Sequence, residues 1–382
     1  MKKKIITIVG ARPQIIKSSA ISRAVSGVFK NDLEEIIVHT GQHYDENMSK
    51  VFFEEMMIPI PHYNLNVGSA SHGVQTAKML EGLEEIFIKE KPDAVLVYGD
   101  TNSTIAGALA ASKIHIPVIH VEAGLRSFNK AMPEEINRIS CDHMSTLLFT
   151  PTQTGIENLL KEGFQMEITT KATIDAPHVY HCGDIMFDNS LHFSKISDQK
   201  SNILNELGLE ANGFVLCTVH RDSNTDVKEN MESIFQALYD IAENSGLKVI
   251  LPLHPRTKAK MQMQLSETLF NSINQSKMIQ VIPPAGFLDI IALEKNARII
   301  VTDSGGLQKE SFFFEKPCVI LRPQTEWVEI VENGNAILAD FDYDRILNAF
   351  NSLLTKDDFT YPVLYGDGKA AEFICNKIVS EL

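Results

Sequence analysis

Short apolar runs alternate along the chain with longer stretches in which apolar residues recur every three or four positions. The short runs are predicted to be β-strands, and the longer stretches are predicted to be amphipathic helices. The predicted strands are Ile5–Val9, Glu35–His39, Ala94–Tyr98, Val118–Val121, Leu147–Thr150, His178–His181, Phe214–Val219, Val249–Leu253, Met278–Ile282, Arg298–Thr302 and Cys318–Leu321. Strands separated by helices are typical of parallel sheets covered on both faces, so the pattern predicts an α/β fold.

The length of 382 residues favours two domains, each large enough to bury its own core. Polar turns around residues 182–184, and the segment 198–212 before a new predicted strand, indicate where the first domain ends. We predict two Rossmann-like, doubly wound domains that face a cleft, comprising residues 1–182 and 183–364. Residues 365–382 are predicted to form a C-terminal helix that crosses back to the first domain, by analogy with folds of this kind.

Composition and charge exclude several classes of partner. Hydrophobic residues make up 44% and charged residues 22% of the chain, as in a folded globular protein. The net charge of −14 argues against a nucleic-acid partner. The apolar run after Lys2–Lys4 is too short for a signal peptide and is predicted to be the first strand. No run reaches membrane-spanning length, so no membrane partner is expected.

The cysteines and histidines favour a cytoplasmic protein without a metal. The five cysteines are odd in number, scattered and mostly set among apolar residues, which indicates free thiols in a reducing compartment. The twelve histidines show no metal-ligand spacing to cysteine or carboxylate residues. We therefore expect neither a metal nor another cofactor.

The segment Thr302–Ser311, TDSGGLQKES, follows an apolar run and is predicted to begin a helix. Ser304 is suited to cap that helix, and Gly305 and Gly306 leave its first backbone N–H groups open to an anion. Glu310, about two turns later, carries a carboxylate that can accept hydrogen bonds from a ribose diol. The segment is interpreted as a nucleotide-diphosphate site, with an ordinary capped helix as the alternative.

Polar and charged residues also follow most of the other predicted strands. Because ligands bind beyond the carboxyl ends of parallel strands, we treat these positions as one candidate site. They include Arg12, Lys17, Asp100, Glu122, Glu134, Arg138, His220, Arg256 and Arg322. Each alone has a structural alternative, since an aspartate after a strand is often a helix cap and a lone histidine is often a structural hydrogen-bond partner.

Nine segments, in the same order, resemble one known family. They are GARPQIIK (10–17), HTGQH (39–43), VYGDTNST (97–104), HVEAGLR (120–126), PEEINR (133–138), HR (220–221), TDSGG (302–306), RPQTEWVE (322–329) and YGDG (365–368). Over nearly its full length the chain resembles the non-hydrolysing UDP-N-acetylglucosamine 2-epimerases, and nine segments are far more specific than a single glycine-rich loop. The resemblance implies a two-domain fold similar to that of the B-type glycosyltransferases, and a homodimer.

The resemblance also implies an isomerase that inverts C2 of a UDP-2-acetamido sugar in the synthesis of surface polysaccharides such as lipopolysaccharide O-antigen. No adjacent carbonyl acidifies that C–H bond. The family therefore expels UDP from C1, removes the C2 proton to give a 2-acetamidoglycal, and adds UDP back with the proton on the opposite face. Such a site needs cations for the diphosphate, carboxylates on both sides of C2, and a closed cleft.

The resemblance assigns these roles residue by residue. The expected catalytic residues are Asp100, Glu122, Glu134 and His220, and the expected substrate-binding residues are Arg12, Lys17, Arg138, Ser304, Gly305, Gly306, Glu310 and Arg322. Which carboxylate acts on which face is left open. Glu134 has an alternative as a first-turn helix carboxylate, and Glu122 as a turn residue. Arg126 is interpreted as a surface ion-pair residue and is left out.

Local differences within these segments bear on the substrate. GARPQ, YGDTNST, AGLRSFN and the TEWVE of residues 325–329 look more like the branch that acts on UDP-2,3-diacetamido-2,3-dideoxyglucuronate. A uronate would need a cation near C6, for which Arg126, Arg138 and Arg256 are candidates. Residues 42–47, QHYDEN, lack the arginine that commoner relatives carry after the histidine. This difference argues against the allosteric activation by UDP-N-acetylglucosamine that is associated with bacterial members of the family.

Three other functions fit the same nucleotide site. A retaining glycosyltransferase of the same fold would need an acceptor groove, and a hydrolysing epimerase would release free N-acetylmannosamine and UDP. A non-catalytic sugar-nucleotide sensor would need none of the acidic residues. The products distinguish these functions: a C2-inverted UDP-sugar, a glycosylated acceptor, a free sugar, or no product.

Overall fold

A computed structural model describes residues 2–41, 59–166 and 170–382 of the chain. The segment 42–47, on which the argument against allosteric activation rests, lies outside these ranges. The strands are β1 (Lys3–Val9), β2 (Leu33–His39), β3 (Tyr63–Asn64), β4 (Ala94–Tyr98), β5 (Val118–Val121), β6 (Leu147–Thr150), β7 (His178–His181), β8 (Phe214–Thr218), β9 (Lys248–Pro252), β10 (Ile279–Ile282), β11 (Ile299–Thr302), β12 (Cys318–Ile320) and β13 (Ala336–Leu338). All the predicted strands are present, with ends shifted by at most two residues, whereas β3 and β13 were not predicted.

Helices separate most of these strands. Numbered along the described residues, they are α1 (Arg12–Ser26), α2 (His72–Glu90), α3 (Asn102–Lys113), α4 (Pro133–Asp142), α5 (Gln153–Lys161), α6 (Ile185–Lys200), α7 (Ile203–Leu207), α8 (Asp222–Thr225), α9 (Lys228–Ser245), α10 (Pro255–Gln264), α11 (Glu267–Gln275), α12 (Phe287–Asn296), α13 (Gly305–Phe313), α14 (Val328–Glu332), α15 (Tyr343–Thr355) and α16 (Ala370–Glu381). None of them is both long enough and apolar enough to cross a membrane.

The described strands form two parallel sheets. The first has the order β3-β2-β1-β4-β5-β6-β7, and the second has the order β10-β9-β8-β11-β12-β13. Both contain the 3-2-1-4-5-6 order of doubly wound Rossmann-like folds, which confirms the predicted fold class. The strand order reverses between β1 and β4 in the first sheet and between β8 and β11 in the second. These two reversals are where such folds bind their ligands.

The chain divides into two compact units. The first comprises residues up to Asn189 together with Val363–Leu382, and the second comprises Ser190–Pro362. Within the first unit, the C-terminal helix α16 packs against α1. Asp188 holds the start of α16, because its carboxylate accepts hydrogen bonds from the first two backbone N–H groups of that helix.

The cores follow from the alternation of side chains along each strand. In β1, Ile5 packs with apolar residues of α1 and α16, whereas Ile6 and Ile8 pack on the opposite face with residues of α2 and α3. In the second unit, Val215 and Cys217 of β8 pack with residues of α9 and α15. Each fully buried aliphatic side chain of this size contributes roughly 1.5–3 kcal/mol. All five cysteines are free thiols, as predicted.

Candidate functional site

The loops at the reversal of the first sheet are held tightly together. A Cβ atom on Gly10 would lie 2.0 Å from Oγ of Ser103 and 2.3 Å from Oγ1 of Thr40, so only glycine allows this approach. The buried side chain of Gln14 then joins the loop after β1 to the loop after β4. Its oxygen accepts from the N–H of Gly10 at 2.8 Å, and its amide donates to the carbonyl oxygen of Tyr98 at 2.9 Å. The two loops that carry candidate residues are therefore fixed relative to each other.

Two candidate carboxylates of the first unit are each paired with a candidate cation. Lys17 forms an ion pair with Glu122, and Nη1 of Arg138 lies 2.5 Å from the carboxylate of Asp100. The Glu122 and Arg138 side chains are both 7% exposed, whereas that of Asp100 is 32% exposed. Glu134 is exposed on the first turn of α4, which is the position expected if it is only a first-turn helix carboxylate. The structure thus brings four of the predicted residues into two ion pairs.

The pKa of Asp100 shows that these pairs belong to one charged cluster. Burial raises the pKa of Asp100 above its ordinary value. The cations Arg138 and Lys17 oppose that rise. The negative charges of Glu122 and Glu134 add to it. A carboxyl group whose pKa is raised in this way is suited to exchange a proton, which makes Asp100 a candidate general acid or base.

Glu122 is held in an unusual backbone conformation. Its φ of 73° lies in the left-handed region, which is uncommon for a residue other than glycine. The N–H groups of Glu122 and Ala123 both donate to the carbonyl oxygen of Phe149, at 3.1 and 3.0 Å. The turn brings the Glu122 carboxylate to the end of β4, where a Cβ on Gly99 would lie 3.3 Å from its Oε2. Such local strain is found most often at functional sites.

The interpretation of Arg126 as a surface ion-pair residue is wrong. Its side chain is only 1% exposed and lies 2.7 Å from both Asp142 and Glu162. Asp142 also accepts a hydrogen bond from Nδ1 of His120, at 2.6 Å. Sequence reasoning missed both Asp142 and His120, although His120 lies within one of the matched segments. Arg126 is therefore part of a buried chain of charges and is not available to bind a substrate carboxylate.

The other two cations considered for a uronate differ in their surroundings. Arg138 is engaged by Asp100 and, at 3.0 Å, by the buried Glu135. Arg256 belongs to the second unit, is 52% exposed, and forms ion pairs with Asp222 and Asp226. Neither arrangement is a prepared pocket for a second carboxylate.

In the second unit, the start of α13 has the geometry predicted for an anion site. Ser304 caps the helix by accepting a hydrogen bond from the backbone N–H three residues later. A Cβ on Gly305 would lie 3.7 Å from Nη1 of Arg322, and a Cβ on Gly306 would lie 3.7 Å from Oε2 of Glu310. Glu310 and Arg322 therefore both lie beside the helix start, where free N–H groups and the helix dipole favour an anion.

Arg322 also has a partner that sequence reasoning did not foresee. Its guanidinium binds both carboxylate oxygens of Glu326, at 3.0 and 2.9 Å. Burial alone would raise the pKa of Glu326, but Arg322 lowers it and keeps Glu326 ionised. Trp327 follows in the chain, donates from Nε1 to the carbonyl oxygen of Gly305 at 3.0 Å, and lies under the ammonium of Lys309. The segment after β12 therefore supports the first turn of α13, and Glu326 within it forms an ion pair with Arg322.

His220, which follows β8, is oriented by a buried aspartate. Nδ1 of His220 lies 2.8 Å from Oδ1 of Asp303, which is 0% exposed. Asp303 also accepts hydrogen bonds from the backbone N–H groups of His220 and Arg221 and from the side chain of Asn224. Burial would raise the pKa of Asp303, but its bond to His220 lowers the pKa overall. Asp303 is thus a candidate site residue that sequence reasoning missed, although it stands in TDSGG directly before Ser304.

Comparison with known proteins, by family model, by sequence and by structure, finds 2-epimerases of UDP-sugars each time. The family model described as UDP-N-acetylglucosamine 2-epimerase matches residues 28–379. The chain is 48% identical over 369 residues to a UDP-N-acetylglucosamine 2-epimerase homolog of Methanococcus maripaludis, covering 96% of this chain and 97% of that protein. It is 45% identical over 371 residues to the UDP-2,3-diacetamido-2,3-dideoxy-D-glucuronate 2-epimerase of Pseudomonas aeruginosa, covering 97% and 98%. The crystal structure of Methanocaldococcus jannaschii UDP-GlcNAc 2-epimerase in complex with UDP-GlcNAc and UDP is similar with a TM-score of 0.83 and 41% identity, covering 98% of this chain and 99% of that one.

Proposed function

Because the chain belongs to the UDP-N-acetylglucosamine 2-epimerase family, we propose that it inverts C2 of a UDP-2-acetamido sugar and retains the UDP in the product. The observation that carries this proposal is the cluster of acids and cations at the strand-order reversal of the first sheet. Asp100 pairs with Arg138 there, and Glu122 pairs with Lys17. The substrate is UDP-N-acetylglucosamine or UDP-2,3-diacetamido-2,3-dideoxyglucuronate, since relatives named for each cover nearly the whole chain.

The second unit is proposed to bind the nucleotide part of the substrate. The start of α13, capped by Ser304, offers backbone N–H groups and a partial positive charge to the diphosphate. His220 donates to the leaving diphosphate while Asp303 orients its ring. The carboxylate of Glu310 accepts hydrogen bonds from the ribose hydroxyls. Arg12, an exposed residue at the first position of α1, is proposed as a further phosphate-binding cation.

The first unit is proposed to move the proton at C2. The C1–O bond breaks and its electron pair leaves with UDP, and a carboxylate then takes the C2 proton, which leaves a C1–C2 double bond. The reverse steps deliver a proton to the opposite face and restore the bond to UDP. Asp100, Glu122 and Glu134 supply the acids for these transfers. We further propose that the protein acts in the cytoplasm as a homodimer and supplies a precursor of surface polysaccharides.

Incubation of the protein with each candidate substrate in deuterated water tests this function. We expect a C2-inverted UDP-sugar that carries deuterium at C2, because the transferred proton exchanges with solvent on a carboxyl group. Proton and carbon NMR of the product give both the configuration and the label. Product without deuterium would contradict the elimination route. Free sugar with UDP, or a glycosylated acceptor, would contradict the proposed reaction.

Replacement of one acid separates chemistry from binding. Glu122→Gln should lower turnover by about 10²–10⁴-fold, because it removes a proton-transfer group. UDP affinity measured by calorimetry should stay unchanged, because the nucleotide is assigned to the second unit. Glu157→Gln, at an exposed position of α5, is the matched control and should retain full turnover. Wild-type turnover in Glu122→Gln would remove that residue from the mechanism.

A further inference from the structure

A buried histidine lies between the two loops that carry Asp100 and Glu122. His120 is in β5, and its side chain is 0% exposed. Its Nδ1 lies 2.6 Å from Oδ1 of Asp142, and its Nε2 lies 2.9 Å from the carbonyl oxygen of Gly99. A buried histidine usually meets one acceptor and one donor, because a neutral imidazole carries one proton. Here the two ring nitrogens meet two oxygens.

Both of these oxygens can only accept a hydrogen bond. The carbonyl of Gly99 has no proton to offer, and Asp142 is kept ionised by Arg126 at 2.7 Å and by the N–H of Gly124 at 3.1 Å. Each ring nitrogen of His120 must therefore donate, which requires the imidazolium form. Its charge is balanced inside the protein, because the two cations His120 and Arg126 are accompanied by the two carboxylates Asp142 and Glu162.

The titratable groups that face the ring agree with this charge. Burial alone would lower the pKa of His120, but the carboxylate of Asp142, at the end of α4, raises it well above its ordinary value. Burial would likewise raise the pKa of Asp142, but His120 and Arg126 lower it. Arg126 continues the chain to Glu162, whose side chain is 27% exposed. The charges thus alternate in sign from the buried ring to the surface.

The two donated bonds reach the two candidate loops. Gly99 directly precedes Asp100, so one bond fixes the backbone from which that carboxylate extends. Asp142 holds the N–H of Gly124, so the other bond fixes the turn in which Glu122 adopts its left-handed conformation. His120 itself lies only two residues before Glu122. One charged ring therefore sets the distance between two backbone segments that both bear candidate acids.

We propose that His120 is a positioning residue, a permanently protonated imidazolium that holds the Asp100 loop directly and the Glu122 loop through Asp142. This inference rests on the proposed function, because its role is to keep the two carboxylates at the spacing that proton transfer at C2 requires. His120 does not exchange protons with the substrate. Its effect on turnover is geometric, and displacement of reacting groups by about 1 Å can lower a rate by roughly 10²-fold.

Nitrogen NMR of the wild-type protein tests the charge without any substrate. At a pH of about 8, an unperturbed histidine is neutral. We expect the two ring nitrogens of His120, assigned by comparison with a His120→Gln sample, to keep the shifts of an imidazolium there. A neutral-tautomer pattern at that pH would overturn the proposal. Because the measurement needs no turnover, it does not depend on whether the proposed reaction occurs.

Two substitutions separate the two bonds. The amide of Gln reaches the position of Nε2 and keeps the bond to Gly99, whereas the amide of Asn reaches only the position of Nδ1 and keeps the bond to Asp142. We expect His120→Asn to lower kcat by about 10–10²-fold with KM and UDP affinity unchanged. His120→Gln should recover part of that kcat, because it restores the bond next to Asp100.

The same assays include a control variant. His115→Asn is the matched control, since His115 is exposed in the same unit and has a φ of 61°, which asparagine tolerates. Equal kcat values for His120→Asn and His120→Gln, or a loss shared equally by kcat and UDP affinity, would overturn the proposal. If the wild-type protein turned over neither candidate substrate, the proposed function would fail, while the NMR result would still decide the charge of His120.

Discussion

Replacing Arg138 by methionine should shift the pH dependence of turnover. Arg138 lies 2.5 Å from the carboxylate of Asp100 and opposes the rise of the pKa of Asp100 that burial causes. Without this cation, the protonated form of Asp100 is favoured further, so its pKa rises. If Asp100 acts as a base, the acidic limb of the profile moves to higher pH. If it acts as an acid, the alkaline limb moves in the same direction.

The size of the shift follows from the geometry of the pair. Two unit charges about 4 Å apart interact with about 4 kcal/mol at an effective dielectric constant of about 20, and with about 1 kcal/mol in bulk water. One pKa unit corresponds to about 1.4 kcal/mol, so these limits correspond to roughly 3 and 0.7 units. Because the Asp100 side chain is 32% exposed, solvent screens the pair, and we expect a shift of about 1–2 units.

Profiles of kcat/KM against pH measure this shift, because they report ionisations of the free enzyme. Arg138→Lys keeps the positive charge and is the matched control, with limbs close to those of the wild type. Thermal unfolding of both variants should also be measured, because Arg138 binds Glu135 as well as Asp100. Glu135 keeps its hydrogen bonds from the N–H groups of Ser127 and Phe128 in either variant. If neither limb moves in Arg138→Met, the reasoning that couples Arg138 to Asp100 is refuted.

Two further predictions concern the second unit and the backbone. Asp303→Asn should weaken UDP binding by about 10–10²-fold in calorimetry, because His220 loses a charge-assisted hydrogen bond of about 1.5–3 kcal/mol. The control Asp358→Asn, at an exposed site, should leave UDP binding unchanged. Unchanged UDP affinity in Asp303→Asn would contradict the proposed role of Asp303. Gly124→Ala should destabilise the protein by more than about 3 kcal/mol in thermal unfolding, because φ is 77° and the new Cβ would lie 2.4 Å from a backbone carbonyl oxygen. Gly163→Ala has a positive φ and no atom within 4 Å of the new Cβ, so it isolates the strain and should cost less.

Most of the sheet strands could be predicted because strands such as β4, β5, β6 and β11 are buried along their whole length and therefore form continuous apolar runs. The two strands that were missed lack that signal. β3 has only two residues, Tyr63–Asn64, and lies at an edge of its sheet. β13 has three residues, Ala336–Leu338, and is also an edge strand. Such short segments are strands because a neighbour pairs with them, and that neighbour is distant in the sequence.

The positions of candidate residues could be predicted to the same extent as the strands, because a residue directly after a strand must lie at the carboxyl end of its sheet. The partners of those residues could not. Lys17 meets Glu122 across 105 positions of sequence, and His220 meets Asp303 across 83. Only the strand order, which places β4 between β1 and β5 and places β8 beside β11, brings such residues together. No local pattern encodes that order.

Arg126 shows why burial of a charge is harder to infer than its position. An arginine after a strand is usually exposed, because moving a guanidinium out of water is costly unless a carboxylate accompanies it. Two carboxylates accompany the Arg126 guanidinium, Asp142 from the end of α4 and Glu162 from just beyond α5. In the sequence they are an ordinary helix-end aspartate and an ordinary surface glutamate.

Their contacts with Arg126 and His120 create a chain in which each charge lies next to one of opposite sign, so that no member is buried uncompensated. Removing Asp142 would take the carboxylate partner from His120 and one of two carboxylate partners from Arg126. The burial of Arg126 is therefore a property of the whole chain of charges, and it becomes visible only when all four side chains are placed together.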